Sequence, residues 1–262
     1  MQSLSRSKLL LAGAITSLVA GLTLPGTPAA GIGSASRHDD RGNSAKELKQ
    51  TGPDYNEGKR LGVDKQASEK VKGQPPKGPA KVGQARTWLA LDDYNGSIYL
   101  KNYTLRGVGD NIELWVANDR AFPEGDCRND LGLTEVTEAQ VQNFISEFDS
   151  NIYPKESEAF SIPPDRNGKK AVLPGLIPSL PSSEYKGEGD NIVVLVDNVR
   201  DTNYYDPTSP DGQTYIAGFF YSLFNEYFDR NAMTIDVFDW MHRTGANPPD
   251  DSTDPAYVAC NE

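Results

Sequence analysis

At 262 residues the chain has room for one or two domains, and its net charge of −11 is spread unevenly. Residues 31–85 carry 11 Lys and Arg against 7 Asp and Glu, whereas residues 86–262 carry 13 against 30. The acidic remainder would repel phosphates, which argues against a nucleic-acid partner.

In chain order, Arg6 and Lys8 precede the apolar run LLLAGAITSLVAGLTL, and small residues follow up to Ala29 and Ala30. That pattern describes a secretory signal peptide over residues 1–30. Gly13, Thr16, Ser17, Gly21 and Thr23 dilute the run and Pro25 ends it early, so a membrane anchor is the poorer reading. No other stretch could span a bilayer, and the mature chain is expected outside the cell. Residues 31–85 hold Tyr55 as their sole aromatic. They cannot bury enough apolar area to offset their ordering entropy, and read as a disordered basic arm or pro-segment. The Pro- and Gly-rich KGQPPKGPAKVGQ closes them as a linker.

The folded domain is expected over 86–262. Asn95-Gly96 lies between apolar runs and suits a type I′ turn, so 87–92 and 97–105 should form a hairpin. A third strand from Ile112 makes a β-meander. Thr137 and Gln140 fit a capping box. Val141, Phe144, Ile145, Phe148 and Ile152 then fall on one helical face, which Pro154 should end. The stretch from Ser161 to Asp190 reads as a Pro- and Gly-rich surface loop. The unbroken run Ile192 to Val196 reads as a strand buried on both faces. TYIAGFFYSLFNEYF fits a strand, or a strand followed by a helix, because Phe220, Leu223, Phe224, Tyr227 and Phe228 have helical spacing. MTIDVFDWM reads as a last strand with Asp236 and Asp239 near its edge. The order predicts a mixed α/β (α+β) layer with a helix packed on a sheet.

For an exported body, the two cysteines, Cys127 and Cys260, favour one disulfide. Nucleophile chemistry finds little support. No Gly-x-Ser-x-Gly elbow occurs, and the two histidines, His38 and His242, stand far apart. Calcium has a better candidate in VDNVRDTNYYDPTSPDG, where Asp197, Asp201 and Asp206 could offer carboxylates to a hard cation. A solvated acidic loop is the plainer reading of the same residues. An EF-hand fails on LDDYNGSIYL, because placing Gly96 at the sixth position puts Leu91 first and Asn102 twelfth.

Six strings, TWLALDDYNGSIYLKNYTLRGVGDNIELWVAND, FPEGDCRND, EFDSNIYPKESEAFSIPPDR, GEGDNIVVLVDNVRDTNYYDP, TYIAGFFYS and FDRNAMTIDVFDWMHRTGANPPDD, occur in this order from about Arg86 to Asp251. They resemble the N-terminal portion of the immune inhibitor A family of secreted bacterial zinc metallopeptidases. The resemblance implies a zincin-like sheet, zinc as cofactor, a protein or peptide substrate and a hydrolase activity outside the cell. In that family the matching stretch precedes a helix carrying His-Glu-x-x-His, whose histidines hold zinc and whose glutamate activates water. That motif is absent from the 262 residues, so no zinc ligand or catalytic residue maps onto this chain. The expectation is a pre-catalytic portion, inactive alone, with the sequence stopping shortly before the catalytic helix. The resemblance also fits a Cys127–Cys260 pairing and an edge strand that binds extended substrate by main-chain pairing, with Met233 to Trp240 as the candidate. The alternative is a short secreted binding module without enzymatic activity, with calcium as a candidate ligand. A weaker third reading is an inhibitor or pro-region that masks a separate protease.

Overall fold

The computed structural model describes residues 63–64, 66–71, 80–243 and 255–261. The expected signal peptide, and the arm up to residue 62, lie outside the described residues. The chain divides into two units, Met1–Leu61 and Gly62–Glu262, and the architecture here is that of the second.

The fold is mixed α/β, built on one six-stranded sheet of order β1-β2-β3-β4-β6-β5. β1 (Ala85–Asp92), β2 (Ser97–Val108) and β3 (Ile112–Ala117) form the expected antiparallel meander. β4 (Ile192–Asp197) lies parallel to β3, and β6 (Asn231–Asp236) lies parallel to β4. β5 (Gly218–Phe219) runs antiparallel along the outside of β6. The first hairpin forms from the expected segments but not with the expected turn type. Its loop is four residues long, Gly96 alone takes a positive φ of 63°, and the Gly96 N–H donates to the Asp93 carbonyl. Asn95 is drawn away from the left-handed region because its backbone and side-chain N–H groups both donate to the Asp92 carboxylate.

α1 (Glu138–Glu147) begins with the full capping box, Thr137 accepting from Gln140 N and Gln140 accepting from Thr137 N. Its buried stripe, Val141 and Ile145 with Phe148 beyond, packs on Ile112, Leu114, Val116, Val194 and Val196. Gly109 lets the helix approach the β2–β3 turn. A Cβ there would fall 2.8 Å from methyls of both Ile112 and Ile145 and 2.1 Å from Asp149 Oδ2. The Asp149 carboxylate accepts from the Asp110 and Asn111 N–H groups and caps the turn. Pro154 does not stop the helix. A π turn over Phe148–Ile152 re-registers the ladder, and Pro154 enters the first turn of α2 (Tyr153–Phe160), where its missing N–H costs little.

The opposite face is covered differently. The long 161–191 connection contains only the short turn α3 (Leu173–Leu176), yet it is no simple surface loop, since Leu173, Leu180, Glu184 and Tyr185 are buried. Tyr185 lies against Trp88 and Phe228 at centroid distances of 5.0 and 4.9 Å. Phe228 belongs to α5 (Ser222–Phe228), which follows β5, so the strand-then-helix alternative holds for this segment. Between β4 and β5 stand the short turn α4 (Thr202–Tyr205) and a 3₁₀ turn at Pro210–Gln213. After β6 come α6 (Trp240–Arg243) and α7 (Pro255–Asn261).

Within the stretch expected as a disordered arm, residues 63–64 and 66–71 lie along the lane of β2 that β3 leaves open. Asp64 N and Glu69 N donate to the Ile98 and Leu100 carbonyls, each at 2.8 Å, and the Glu69 carboxylate accepts from Asn102 N. The physical reason is a strand longer than its neighbour. β2 outruns β3, and backbone groups left beside a core need partners.

Candidate functional site

The acidic segment from Asp197 to Asp211 is the place to begin, because the sequence offers it as a cation site. Asp197 ends β4 with the same parity as Val193 and Leu195, which turns its carboxylate into the face opposite α1. There it is 1% exposed. Oδ1 pairs with Lys101 Nζ at 2.7 Å, and Oδ2 accepts from the Tyr103 hydroxyl at 2.8 Å. Burial first, and then the Asp197 charge, push the Tyr103 pKa well above its ordinary value, so the phenol remains a donor. Asp201 has left the sheet and caps α4, accepting from Tyr204 N through Oδ1 and from Ile216 N through Oδ2. Burial raises its pKa even so. Asp206 accepts from Thr208 N, Thr208 Oγ1 and Ser209 N and closes a turn of its own. Asp197, Asp201 and Asp206 therefore do not converge on one point. Lys101, the residue that answers Asp197, stands 96 positions earlier in the chain. Its sequence signal is a lone lysine alternating with Tyr99 and Tyr103 in an otherwise inward-facing run of β2.

Among the described residues, one group of three potential metal ligands lies within 4.8 Å: Asp126, Cys127 and Cys260. The two sulfurs are bonded to each other, closing the expected disulfide across 133 residues. Asp126 is held by Arg128, its Oδ2 lying 2.6 Å from Nη2. These hydrogen bonds keep the Asp126 carboxyl below its usual range against the opposing effect of partial burial. Arg128 is itself buried. It also donates to Asn203 O and Oδ1 and to Tyr204 O, fastening the turn at Cys127–Asn129 to α4. The disulfide then fastens α7 to that same turn.

The end of β6 carries Asp236, Asp239 and His242. Asp236 is buried and accepts from Val199 N and Phe238 N. Asp239 adopts a left-handed φ of 58° and pairs with His242 Nδ1. These contacts fix the chain reversal after β6. No second histidine joins His242 among the described residues.

The outer side of β6 differs from the expectation of a free substrate-binding edge over Met233 to Trp240. Ala232 N donates to Asn225 Oδ1, Thr234 and Ile235 pair with β5, and Asp236 N donates to Ala217 O. Among the described residues, β5 is the outermost strand on that side instead, with Ala217 and Phe220 exposed beside it. A two-residue strand leaves almost no periodic signal, which is why the sequence places the edge one strand too far inward.

No family model matches this chain, and no curated protein sequence matches it. No helix among the described residues is long and apolar enough to cross a membrane.

Proposed function

We propose that this chain is the sheet-and-helix portion of a secreted zinc metallopeptidase of the immune inhibitor A type, the part that precedes the zinc-binding helix. The observation that carries the reading is the order of the sheet. A parallel core of β3, β4 and β6 is backed by α1 on one face and ends on β5, a short antiparallel strand whose outer side pairs with no other strand among the described residues. An extended peptide pairing along such an edge gains main-chain hydrogen bonds and presents alternate side chains to the sheet. Residues 217–220 therefore take the role expected of Met233 to Trp240. The disulfide is compatible with an oxidising compartment outside the cell.

Zinc does not fit the described residues. Cys127 and Cys260 are joined, Asp126 belongs to Arg128, and His242 belongs to Asp239. No catalytic step is assigned to any residue of this chain, whose contribution is to hold and align the substrate strand. The experiment is to isolate, from culture supernatant, the protein that carries these residues and measure its zinc content and its hydrolysis of an unfolded protein. Retained zinc, with hydrolysis abolished by a chelator, is the expected result. A metal-free protein that cleaves nothing would favour the non-enzymatic module.

A further inference from the structure

Two arginines converge on the turn at residues 185–188, one from β1 and one from the residue before β6. Arg86 of β1 donates through Nη2 to the Lys186 carbonyl at 2.7 Å. Arg230, which immediately precedes β6, donates through Nη1 to Tyr185 O and through Nη2 to Glu188 O and Glu113 Oε1. Both are 0% exposed.

The two are not equivalent. Arg230 has a carboxylate partner in Glu113 at 2.7 Å. Arg86 makes no ion pair among the described residues, and the nearby carboxylates are engaged elsewhere. The second oxygen of Glu113 accepts from Trp115 Nε1, and Glu184 Oε1 accepts from Thr87 N. Burial draws the Arg86 pKa down to about 10, with Glu113 opposing and Arg230 adding to the fall, so the guanidinium is charged at neutral pH. Nε and Nη1 of Arg86, Nε of Arg230 and Nε1 of Trp88 are buried and meet no acceptor from the described residues. Trp88 stands two residues from Arg86 on the same face of β1, and the Arg86 guanidinium lies 5.2 Å from the Trp115 ring.

All four of these atoms are donors, and one of the groups carries a buried charge with no counter-ion in contact among the described residues. Such a charge is costly unless it is compensated. A water molecule would accept hydrogen bonds but leave the charge uncompensated; a small anion accepts hydrogen bonds and also offsets the charge. We propose that Arg86 and Arg230 bind a small monovalent inorganic anion, chloride or a heavier halide, within the face of the sheet that carries Trp88 and Trp115.

Thermal unfolding of the full chain in sodium chloride and in sodium gluconate at equal ionic strength tests this directly. Binding to the folded state alone raises Tm with a saturable dependence on ligand concentration. The expected result is a saturable rise in chloride and bromide that gluconate does not give, lost in Arg86→Met. Should that variant fail to fold, crystals of the unaltered chain soaked in bromide decide. An anomalous peak between Arg86 and Arg230 supports the site. Superimposable chloride and gluconate curves, or bromide-soaked crystals without that peak, would overturn it and leave the donors to water.

Discussion

The face of the sheet under α1 and the face under α5 bury side chains of different chemistry. Under α1 lie Ile112, Leu114, Val116, Val194 and Val196, matched by the apolar stripe of one capped helix. On the opposite face Trp88 and Trp115 lie buried, Trp88 against Phe228 of α5, and the same face carries the buried Lys101–Asp197 and Arg230–Glu113 pairs. The first face is held by non-directional burial, roughly 25 cal/mol per Å² of apolar area. Each charge in these two pairs needs its specified partner, and the partners come from segments about 100 residues apart in the chain. The contrast teaches that a sheet can rest on one tolerant face and one exacting face, with the exacting face fixing how the long connection is laid down.

The contrast can be broken most severely at Asp197. Asp197→Ala leaves Lys101 charged and buried, and should cost about 3–5 kcal/mol in urea unfolding. Replacing both partners, Lys101→Met with Asp197→Leu, should recover much of that loss, because the penalty lies in the orphaned charge. A double variant as unstable as the single one would show that the pair itself stabilises the face. On the apolar side, Leu114→Ala should cost about 2–4 kcal/mol through lost burial and the cavity left behind, with no comparable rescue by a partner. Gly109→Ala pushes α1 away from the β2–β3 turn and should cost about 1–3 kcal/mol, read as a lower urea midpoint. Thr137→Ala removes one arm of the capping box, for about 1 kcal/mol. Equal losses at Gly109 and Thr137 would mean that capping, rather than close approach, seats the helix.

The tolerant face was legible in the sequence because its signals are local. The capping box, the spacing of Val141, Ile145 and Phe148, and the unbroken run of β4 each need fewer than twenty residues to read. The exacting face was not. Asp197, Asp201 and Asp206 look like one site along the chain, but strand alternation sends Asp197 inward to Lys101 while the other two close turns. Pro154 misled because a π turn is invisible in a hydrophobic pattern. The edge strand was misplaced because β5, the outermost strand on that side, is two residues long. The cysteine pairing was readable from their even number and the export expected from the N-terminal residues, whereas Arg128, which fastens their turn to α4, has partners 75 and 76 positions away.

The most direct test of the proposed function is to read the gene beyond codon 262 in an independent clone. The account predicts an open frame that encodes His-Glu-x-x-His on a helix soon after Cys260, which would set zinc and its activating glutamate beside the edge at residues 217–220. A stop codon directly after Glu262 would contradict it.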